Sequence, residues 1–447
     1  MNTPVSASAP RWYRGNLHTH TFWSDGRAFP EEAISWYKER GYHFLGLSDH
    51  NIFQNDPDRW IDSTNRERYF GEYLKKFPEA VVRDAARPVA APPAAGESPV
   101  PRQARLSTFA ELAARFDEPE RFLLVPTVEA TRTVRYAGGR VHQVHMNYAN
   151  LPALLPCLAA QDFDRTAQDI AIEDFVAAHI AETEALARSL GRHALFMLNH
   201  PIWFWYDISP RVVAALPQLR FFEVCNNGSP IPCAEALPAD GFDTDRFWDV
   251  ANAFRARRGM PLLYGVGADD THVYRGEPHD GMLMPFNAWT LVRAASLDAD
   301  SLIAAMERGD FAACEGLEPD DIAFDRASGT LSVSVAAKPG AARLVRFIVS
   351  KRDFSETPVR TIAIRPPSRA DRPDQERTVE IYDDARIGAV AKTVQGAPGE
   401  ALRASYTLAP DDLYVRARIE EPGSQPLCSA ALHPRCHVAW TQPYARI

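Results

Sequence analysis

The chain has few cysteines, no long apolar run and no excess of positive charge. Its six cysteines include no Cys-x-x-Cys pair, so neither a disulfide framework nor a thiolate zinc site is indicated. No stretch approaches the roughly 18–20 apolar residues of a membrane-spanning helix. Lysine and arginine number 49 against 58 aspartates and glutamates, which gives a formal net charge of −9. This balance argues against duplex nucleic acid or a membrane as a partner, and we expect a soluble, cytoplasmic protein that acts on a small molecule.

Length and pattern divide the chain into two expected parts. A chain of 447 residues exceeds one ordinary domain, but a single α/β barrel can occupy about 250 residues or more. Over residues 1–318, short apolar strands alternate with helical segments, the pattern typical of βα units around a parallel sheet. Residues 319–447 show alternating strands without helices, which predicts a small antiparallel, β-sandwich-like module.

Local signals place the elements more closely. The best-marked helix begins near Pro30, holds Glu31 and Glu32 in its first turn, and stops at Gly41. Further helices are expected at 172–190, 245–257 and 298–308. Residues 82–105 are rich in Pro and Ala with little periodicity, which predicts a surface insertion, extended or mobile. Eight strands are expected, at 15–21, 44–51, 122–131, 142–148, 194–200, 220–225, 262–267 and 288–292.

Several of the 13 histidines fall at the ends of predicted strands, each beside a carboxylate or another histidine. Residues i and i+2 of a strand point to the same side, so His18 and His20 can present two imidazoles to one metal. Neutral imidazoles with carboxylates suit zinc, manganese or iron. Barrel enzymes keep their active sites at the rim where the strands end, so a multinuclear metal site is expected there. The other groups are Asp25, Asp49-His50, Glu129, His142 with His145, Asn199-His200, and Asp270-Thr271-His272.

The motifs HTHTFWSDG, SDHN, PTVEAT, VHMN, NHP and GADDTH resemble, in this order, those of the polymerase and histidinol phosphatase (PHP) superfamily of metal-dependent phosphoesterases. The resemblance covers about residues 14–318. It implies a distorted (β/α)7 barrel, so one of the eight predicted strands would lie outside it. It also implies the ligands of up to three metals. These are His18, His20, Glu129 and Asp270 for the first, Glu129 as a bridge with His145 and His200 for the second, and Asp25, His50 and His272 for the third.

Some assignments have competitors. Amidohydrolase barrels also begin with His-x-His, but they usually bridge two metals with a carboxylated lysine, and no lysine lies near Glu129. His142 would replace His145 as a ligand if the strand slipped, and we favour His145. Asp49 and Asp269 neighbour predicted ligands, and we expect them to orient imidazoles rather than to bind metal.

The expected cofactors are two to three divalent ions, and the expected reaction is hydrolysis of phosphate mono- or diesters of a small organic molecule. Ions about 3.5–4 Å apart lower the pKa of a bridging water, and the resulting hydroxide attacks without a protein nucleophile. Buried cysteines at 225 and 314 are therefore interpreted as packing. Glu223 and Asn226, at the end of the sixth strand, are candidates for hydrogen bonds near the metals.

Five side chains are candidates for substrate contacts. Arg132, Arg135 and Arg275 lie within six residues of predicted ligands, and a guanidinium suits bidentate recognition of phosphate or carboxylate. Trp203 and Trp205 belong to a run of four aromatic residues, of which at least one is expected to line the mouth of the pocket and stack on a base or aryl group.

Two other functions remain open. The ending AWTQPY resembles the tail of a superfamily branch that includes carbaryl-esterase-like metallohydrolases. That resemblance implies a carboxylic or carbamate aryl ester as the alternative substrate on the same metals. A catalytically silent, metal-stabilised binding scaffold is the second alternative, disfavoured because the whole ligand set is intact.

Overall fold

A computed structural model describes residues 9–64, 66–84, 102–135, 141–155, 167–168, 171–201, 208–226, 244–274, 285–364, 377–424 and 436–446. Helices and strands alternate up to residue 318, and the described residues beyond it form strands. Among all the residues that the structure describes, no helix is both long and apolar enough to cross a membrane.

The helix ends carry the local signals that the sequence predicts. The first helix begins at Pro30 with Glu31 and Glu32 in its first turn, and Gly41 beyond it has a φ of 75°. Helices also occupy the segments predicted at 172–190, 245–257 and 298–308, to within one residue at each end, so these predictions are confirmed. The helices are α1 (Pro30–Glu39), α2 (Glu67–Lys76), α3 (Phe109–Phe116), α4 (Ile172–Leu190), α5 (Pro210–Ala214), α6 (Thr244–Arg257) and α7 (Ala299–Glu307).

One large mixed sheet organises the molecule. Seven of its strands lie in the spatial order β11-β10-β9-β7-β6-β2-β1. Two backbone hydrogen bonds join the ends of this run, from His20 N–H to the Thr271 carbonyl at 2.8 Å and from Asp270 N–H to the His18 carbonyl at 2.9 Å. The strands of residues 9–318 are β1 (Arg11–Asn16), β2 (Phe44–Leu47), β3 (Trp60–Asp62), β4 (Val82–Asp84), β5 (Arg102–Arg105), β6 (Leu123–Arg135), β7 (Val141–Ala149), β8 (Ala167–Gln168), β9 (Leu195–Leu198), β10 (Phe221–Asn226), β11 (Tyr264–Ala268), β12 (Trp289–Ala294) and β13 (Phe311–Glu315).

Strand β7 departs from the parallel arrangement that the alternation of strands and helices predicts. It pairs antiparallel with both β6 and β9, and only five residues connect it to β6. A parallel crossover needs a dozen residues or more, so the short connection dictates a hairpin. The other strands of the run are parallel to their neighbours within it. The beginning of β7 therefore lies at the rim where the other six strands end.

The described residues between β2 and β6, 52–64, 66–84 and 102–118, form a small layer that we call the cap. It contains the sheet β3-β5-β4 with α2 and α3. The predicted insertion at 82–105 lies within the cap, and its two ends are β4 and β5, which pair antiparallel. Ala104 is fully buried, so the ends of the segment belong to the folded structure instead of a free loop. Residues 85–101 lie outside the described part of the chain.

The C-terminal strands continue the central sheet. Strand β22 pairs antiparallel with β13, and β21, β16 and β19 follow in order, so the sheet runs across the predicted boundary at residue 318. Separate small sheets are β14-β15-β20 and β17-β18. The division into 1–318 and 319–447 stays a prediction. These strands are β14 (Asp321–Asp325), β15 (Thr330–Val335), β16 (Leu344–Lys351), β17 (Arg360–Ile364), β18 (Arg377–Ile381), β19 (Ala389–Gln395), β20 (Leu402–Thr407), β21 (Asp412–Glu421) and β22 (His437–Thr441).

Candidate metal centre

Four side chains at the rim bring their ligand atoms to nearly equal separations. His18 Nε2 lies 3.2 Å from Glu129 Oε2 and 3.1 Å from Asp270 Oδ1. His20 Nε2 lies 3.1 Å and 3.2 Å from the same two oxygens. In a tetrahedral site with bonds of about 2.0–2.1 Å, neighbouring ligand atoms are about 3.3 Å apart. The spacing therefore fits a cation at the middle of these four atoms.

Burial makes this group costly without a cation. His18, His20 and Glu129 are fully buried. Within the described part of the chain, His18 Nε2, both ring nitrogens of His20 and Glu129 Oε2 have no hydrogen-bond partner of acceptable geometry. Buried polar atoms are normally paired because each unpaired one costs free energy. A metal ion between the four side chains would give each of these atoms a partner, except Nδ1 of His20, which faces Asp25.

A second group of ligands lies on the solvent side of the first. His272 Nε2 is 3.3 Å from Asp25 Oδ1, and His50 Nε2 is 3.6 Å from Asp25 Oδ2. His20 Nδ1 lies 3.7 Å from Asp25, so His20 faces both groups. The Asp25 side chain is 57% exposed, whereas the carboxylates of the first group are almost completely buried. The outer group is therefore open to solvent and the inner group is not.

Glu129 connects the inner group to a third set of ligands. Its Oε1 lies 3.0 Å from His145 Nδ1 and 3.7 Å from His200 Nε2, while its Oε2 faces the inner group. His200 Nε2 also lies 3.8 Å from Asp270 Oδ2. His50 Nδ1, at 3.0 Å from Glu129 Oε2, approaches this set as well. All nine residues predicted as metal ligands are thus brought together, and Glu129 occupies a bridging position.

The backbone is unusual where it delivers the ligands. Asp270 has a φ of 53° and Asn51, next to His50, has a φ of 51°. Such left-handed conformations are uncommon for residues other than glycine and concentrate at functional sites. Gly26 allows the loop after β1 to fold back, because a Cβ there would lie 2.3 Å from the backbone carbonyl carbon of His20. This fold brings Asp25 next to the histidines.

Two hydrogen bonds orient imidazoles of the site. Glu223 Oε1 lies 2.6 Å from His18 Nδ1, and its other oxygen accepts from the His200 backbone N–H at 2.9 Å and from Asn226 Nδ2 at 2.7 Å. The predicted hydrogen bonds of Glu223 and Asn226 near the site are therefore present. Thr131 Oγ1 lies 2.6 Å from His50 Nδ1. Thr131 is not among the predicted site residues, although it lies two residues after Glu129 and so on the same face of β6.

The prediction that Asp49 and Asp269 orient imidazoles is wrong, because among the described residues their hydrogen-bond partners are not histidines. Asp49 accepts from Thr21 N–H at 2.8 Å and from the Ser24 hydroxyl at 2.7 Å, among others. Asp269 accepts backbone N–H bonds of 2.8–2.9 Å from the three residues 286–288. Burial raises the pKa of Asp269 to about 6. Both carboxylates thus fix the loops that surround the ligands.

Burial and mutual attraction have opposite effects on the pKa values of the ligands. Burial alone would raise the pKa of Glu129 and Asp270, but nearby imidazoles, His18 first among them, lower both well below their usual range. Burial lowers the pKa of His145 to about 4, although Glu129 opposes the shift. Burial would also lower the pKa of His50, but the Glu129 carboxylate outweighs it and raises that pKa to about 9. The carboxylates are ionised, and protons on the imidazoles compete with any cation.

Of the five predicted substrate residues, Arg132 alone has a described side chain, and that side chain does not reach the centre. Arg132 lies three residues after Glu129, so it points to the opposite face of β6, and its charge contributes to the lowered pKa of the buried His179. The side chain of Arg135 lies outside the described residues, and so do Arg275, Trp203 and Trp205. The side chain of His142, the alternative ligand, also lies outside them.

No protein-family model and no curated protein matches the chain. Among solved structures, a two-domain protein from Bacteroides vulgatus, described as containing a predicted PHP-like metal-dependent phosphoesterase, is 11% identical with a TM-score of 0.39 over 97% of this chain and 96% of its own. A candidate metal-dependent phosphoesterase from Bifidobacterium adolescentis is 13% identical with a TM-score of 0.30, over 60% of this chain and 91% of its own. An amidohydrolase from Chromobacterium violaceum, with sulfate bound and no metal, is 15% identical with a TM-score of 0.30, over 60% and 89%. Because these sequence identities and TM-scores are low, the function has to be argued from the side chains of this chain itself.

Proposed function

We propose that the chain is a metal-dependent hydrolase of the PHP superfamily that cleaves phosphate mono- or diesters of a small organic molecule. The observation that carries the proposal is the inner group, where two imidazoles and two carboxylates converge to 3.1–3.2 Å. A purely structural cluster would pair these buried atoms with hydrogen-bonding groups. The distorted (β/α)7 barrel is part of this proposal, and the seven-strand run with joined ends supports it.

Three overlapping groups of ligands suit two to three divalent ions. His20, His50 and Glu129 each belong to two of the three groups. Imidazole nitrogen with carboxylate oxygen is a donor set that fits zinc, manganese or iron. Ions held there would polarise phosphoryl oxygens and activate a water at neutral pH.

The chain supplies orientation and a partly dry environment. Glu223 fixes the ring of His18 through Nδ1, which directs Nε2 at the inner group. Full burial of His18, His20 and Glu129 excludes bulk water and strengthens their interaction with charge. The described cysteines belong to none of the groups that meet at the centre, and Cys225 donates its thiol hydrogen to Glu315 at 3.4 Å. We therefore propose water, rather than a cysteine, as the nucleophile.

Metal analysis combined with an ester panel tests the proposal. The protein is loaded with zinc or manganese and assayed on p-nitrophenyl phosphate, bis-p-nitrophenyl phosphate and p-nitrophenyl acetate. Asp270→Asn and His20→Ala are expected to lower phosphoesterase turnover at least about a hundredfold, since loss of a ligand should cost no less than loss of a residue that orients one. Asp353→Asn removes the same charge at an exposed site and is the matched control.

Each result of the panel has a consequence. Wild-type rates in both ligand variants would contradict the proposed site. Turnover of the acetate alone would favour the carboxylic or carbamate ester alternative. Tight metal binding without turnover of any ester would favour the silent scaffold.

A further inference from the structure

An open pocket of about 330 Å³ adjoins the outer group of ligands. Ligand sites for small molecules begin at about this size. Two segments that are distant in sequence form its walls, the loop after β1 and the cap. Its lining is Phe22, Ser24, Asp25, Gly26, Arg27, Thr64, Arg66 and Tyr69.

One wall of the pocket is aromatic. The Arg66 guanidinium lies over the Phe22 ring, 5.4 Å from its centroid, and the Phe22 and Tyr69 rings meet edge to face at 6.0 Å. Phe22 is almost fully buried, so its position is fixed by packing against the cap. A fixed aromatic surface beside a guanidinium suits the organic part of a substrate that also bears an anion.

Two arginines, Arg27 and Arg66, line this pocket. Among the described residues, no carboxylate pairs with the exposed Arg27 guanidinium. Arg66 lies 3.8 Å from Asp62, a long contact between half-exposed side chains that contributes little. Among the described lining residues Asp25 is the one carboxylate, and it faces His272 at 3.3 Å as a member of the outer group.

We propose that this pocket binds a second anionic group of the substrate, with Arg27 and Arg66 as specificity-determining residues. The inference rests on the proposed function and narrows its substrate class to phosphate esters whose organic part carries a carboxylate or another phosphate. The scissile phosphate lies at the ligands, the organic part lies along Phe22 and Tyr69, and the second anion reaches the two guanidinium groups. Neither arginine was among the predicted substrate contacts.

The test compares substrates that share the scissile ester and differ in the remote group. Phenyl phosphate, 4-carboxyphenyl phosphate and 1,4-phenylene bisphosphate are assayed with the metal-loaded protein. A hydrogen bond to a charged group is equivalent to about ten- to a hundredfold in binding. We therefore expect kcat/KM to be at least about tenfold higher for one of the doubly anionic substrates than for phenyl phosphate. The preferred substrate identifies the second anion as carboxylate or phosphate.

Variants assign the preference to the pocket. The measured ratio is kcat/KM for the preferred doubly anionic substrate divided by kcat/KM for phenyl phosphate. Arg27→Gln and Arg66→Gln are each expected to reduce this ratio by about tenfold. Arg121→Gln removes the same charge from an exposed side chain away from the pocket and keeps the ratio. Absence of the preference in the wild type, or its persistence in both variants, would overturn the proposal.

Failure of the proposed function is distinguishable from failure of the subsite. If no phosphate ester is hydrolysed, the same compounds are titrated calorimetrically into the metal-loaded protein. Tighter binding of a doubly anionic compound that is lost in Arg27→Gln and Arg66→Gln still supports the subsite. Equal affinity for all three compounds in the wild type overturns it.

Discussion

Replacement of Glu223 by Gln tests whether metal affinity depends on the side chain that orients His18. Glu223 is buried and accepts hydrogen bonds on both oxygens, from His18 on one and from the His200 backbone and Asn226 on the other. Glutamine has a single acceptor oxygen and an NH2 group in place of the second. At least one of these donors therefore faces an N–H in Glu223→Gln, whichever way the amide turns.

The expected loss follows from these contacts. If the amide oxygen turns to the His200 side, His18 loses its acceptor and its ring is no longer held with Nε2 toward Glu129 and Asp270. If it turns to His18, the charge of the acceptor is still lost. Replacing such a partner of a metal-binding histidine weakens metal affinity about 10- to 100-fold, equivalent to about 1.4–2.7 kcal/mol. Competition with a chromophoric zinc chelator at constant pH measures the dissociation constant directly.

Glu120→Gln is the matched control for this variant. Its side chain is 63% exposed and pairs with Arg11 on the surface, so the change removes the same charge without touching the centre. Thermal unfolding of both metal-free variants separates an effect on metal from an effect on folding. An unchanged zinc affinity in a folded Glu223→Gln protein would refute the role of Glu223 as a positioning residue.

Three other predictions concern pH, metal release and packing. Burial raises the pKa of Glu315 from 4.5 to about 8, so the folded chain binds a proton that the unfolded chain releases, and urea stability falls as pH rises through this window. Glu315→Gln removes this part of the pH dependence of stability. An identical pH dependence in the variant would contradict the raised pKa of Glu315. A chelator is expected to release metal in a fast phase from the exposed Asp25 side and a slow phase from the inner group, with the fast phase missing in Asp25→Asn; one common phase would argue against separate groups. Asp249→Asn breaks a buried bidentate pair with Arg416 and lowers the free energy of unfolding by about 3–5 kcal/mol in urea titrations, and a loss below about 1 kcal/mol would contradict its burial.

The convergence of the candidate ligands was predictable from the sequence because it depends on local rules. His18 and His20 share a face by the two-residue period of an extended strand, and the carboxyl ends of parallel strands meet at one rim. The same period, applied to β6, shows that Thr131 shares the face of Glu129 and that Arg132 does not. On β6, register within the strand is therefore a better guide than proximity in sequence to which side chains reach the centre.

Other features depend on contacts between distant parts of the chain. The Arg66 side of the pocket comes from the cap, about 40 residues after the Phe22 side, and no periodicity relates the two. The direction of β7 did leave a local trace. Only five residues connect β6 to β7, which is too short for a parallel crossover, so the chain has to reverse direction there.

The C-terminal tail has a structural explanation that bears on substrate class. The segment AWTQPY places Trp440 against Asp245 of α6 with a hydrogen bond of 3.0 Å. Gln442 bonds both the N–H and the carbonyl of Gly265 in β11, at 2.8 and 2.9 Å. Strand β11 leads directly to Asp270, so the tail stabilises the strand that delivers a ligand of the inner group. The tail therefore has a structural role in this chain, and the carboxylic or carbamate ester that its resemblance implies stays a prediction.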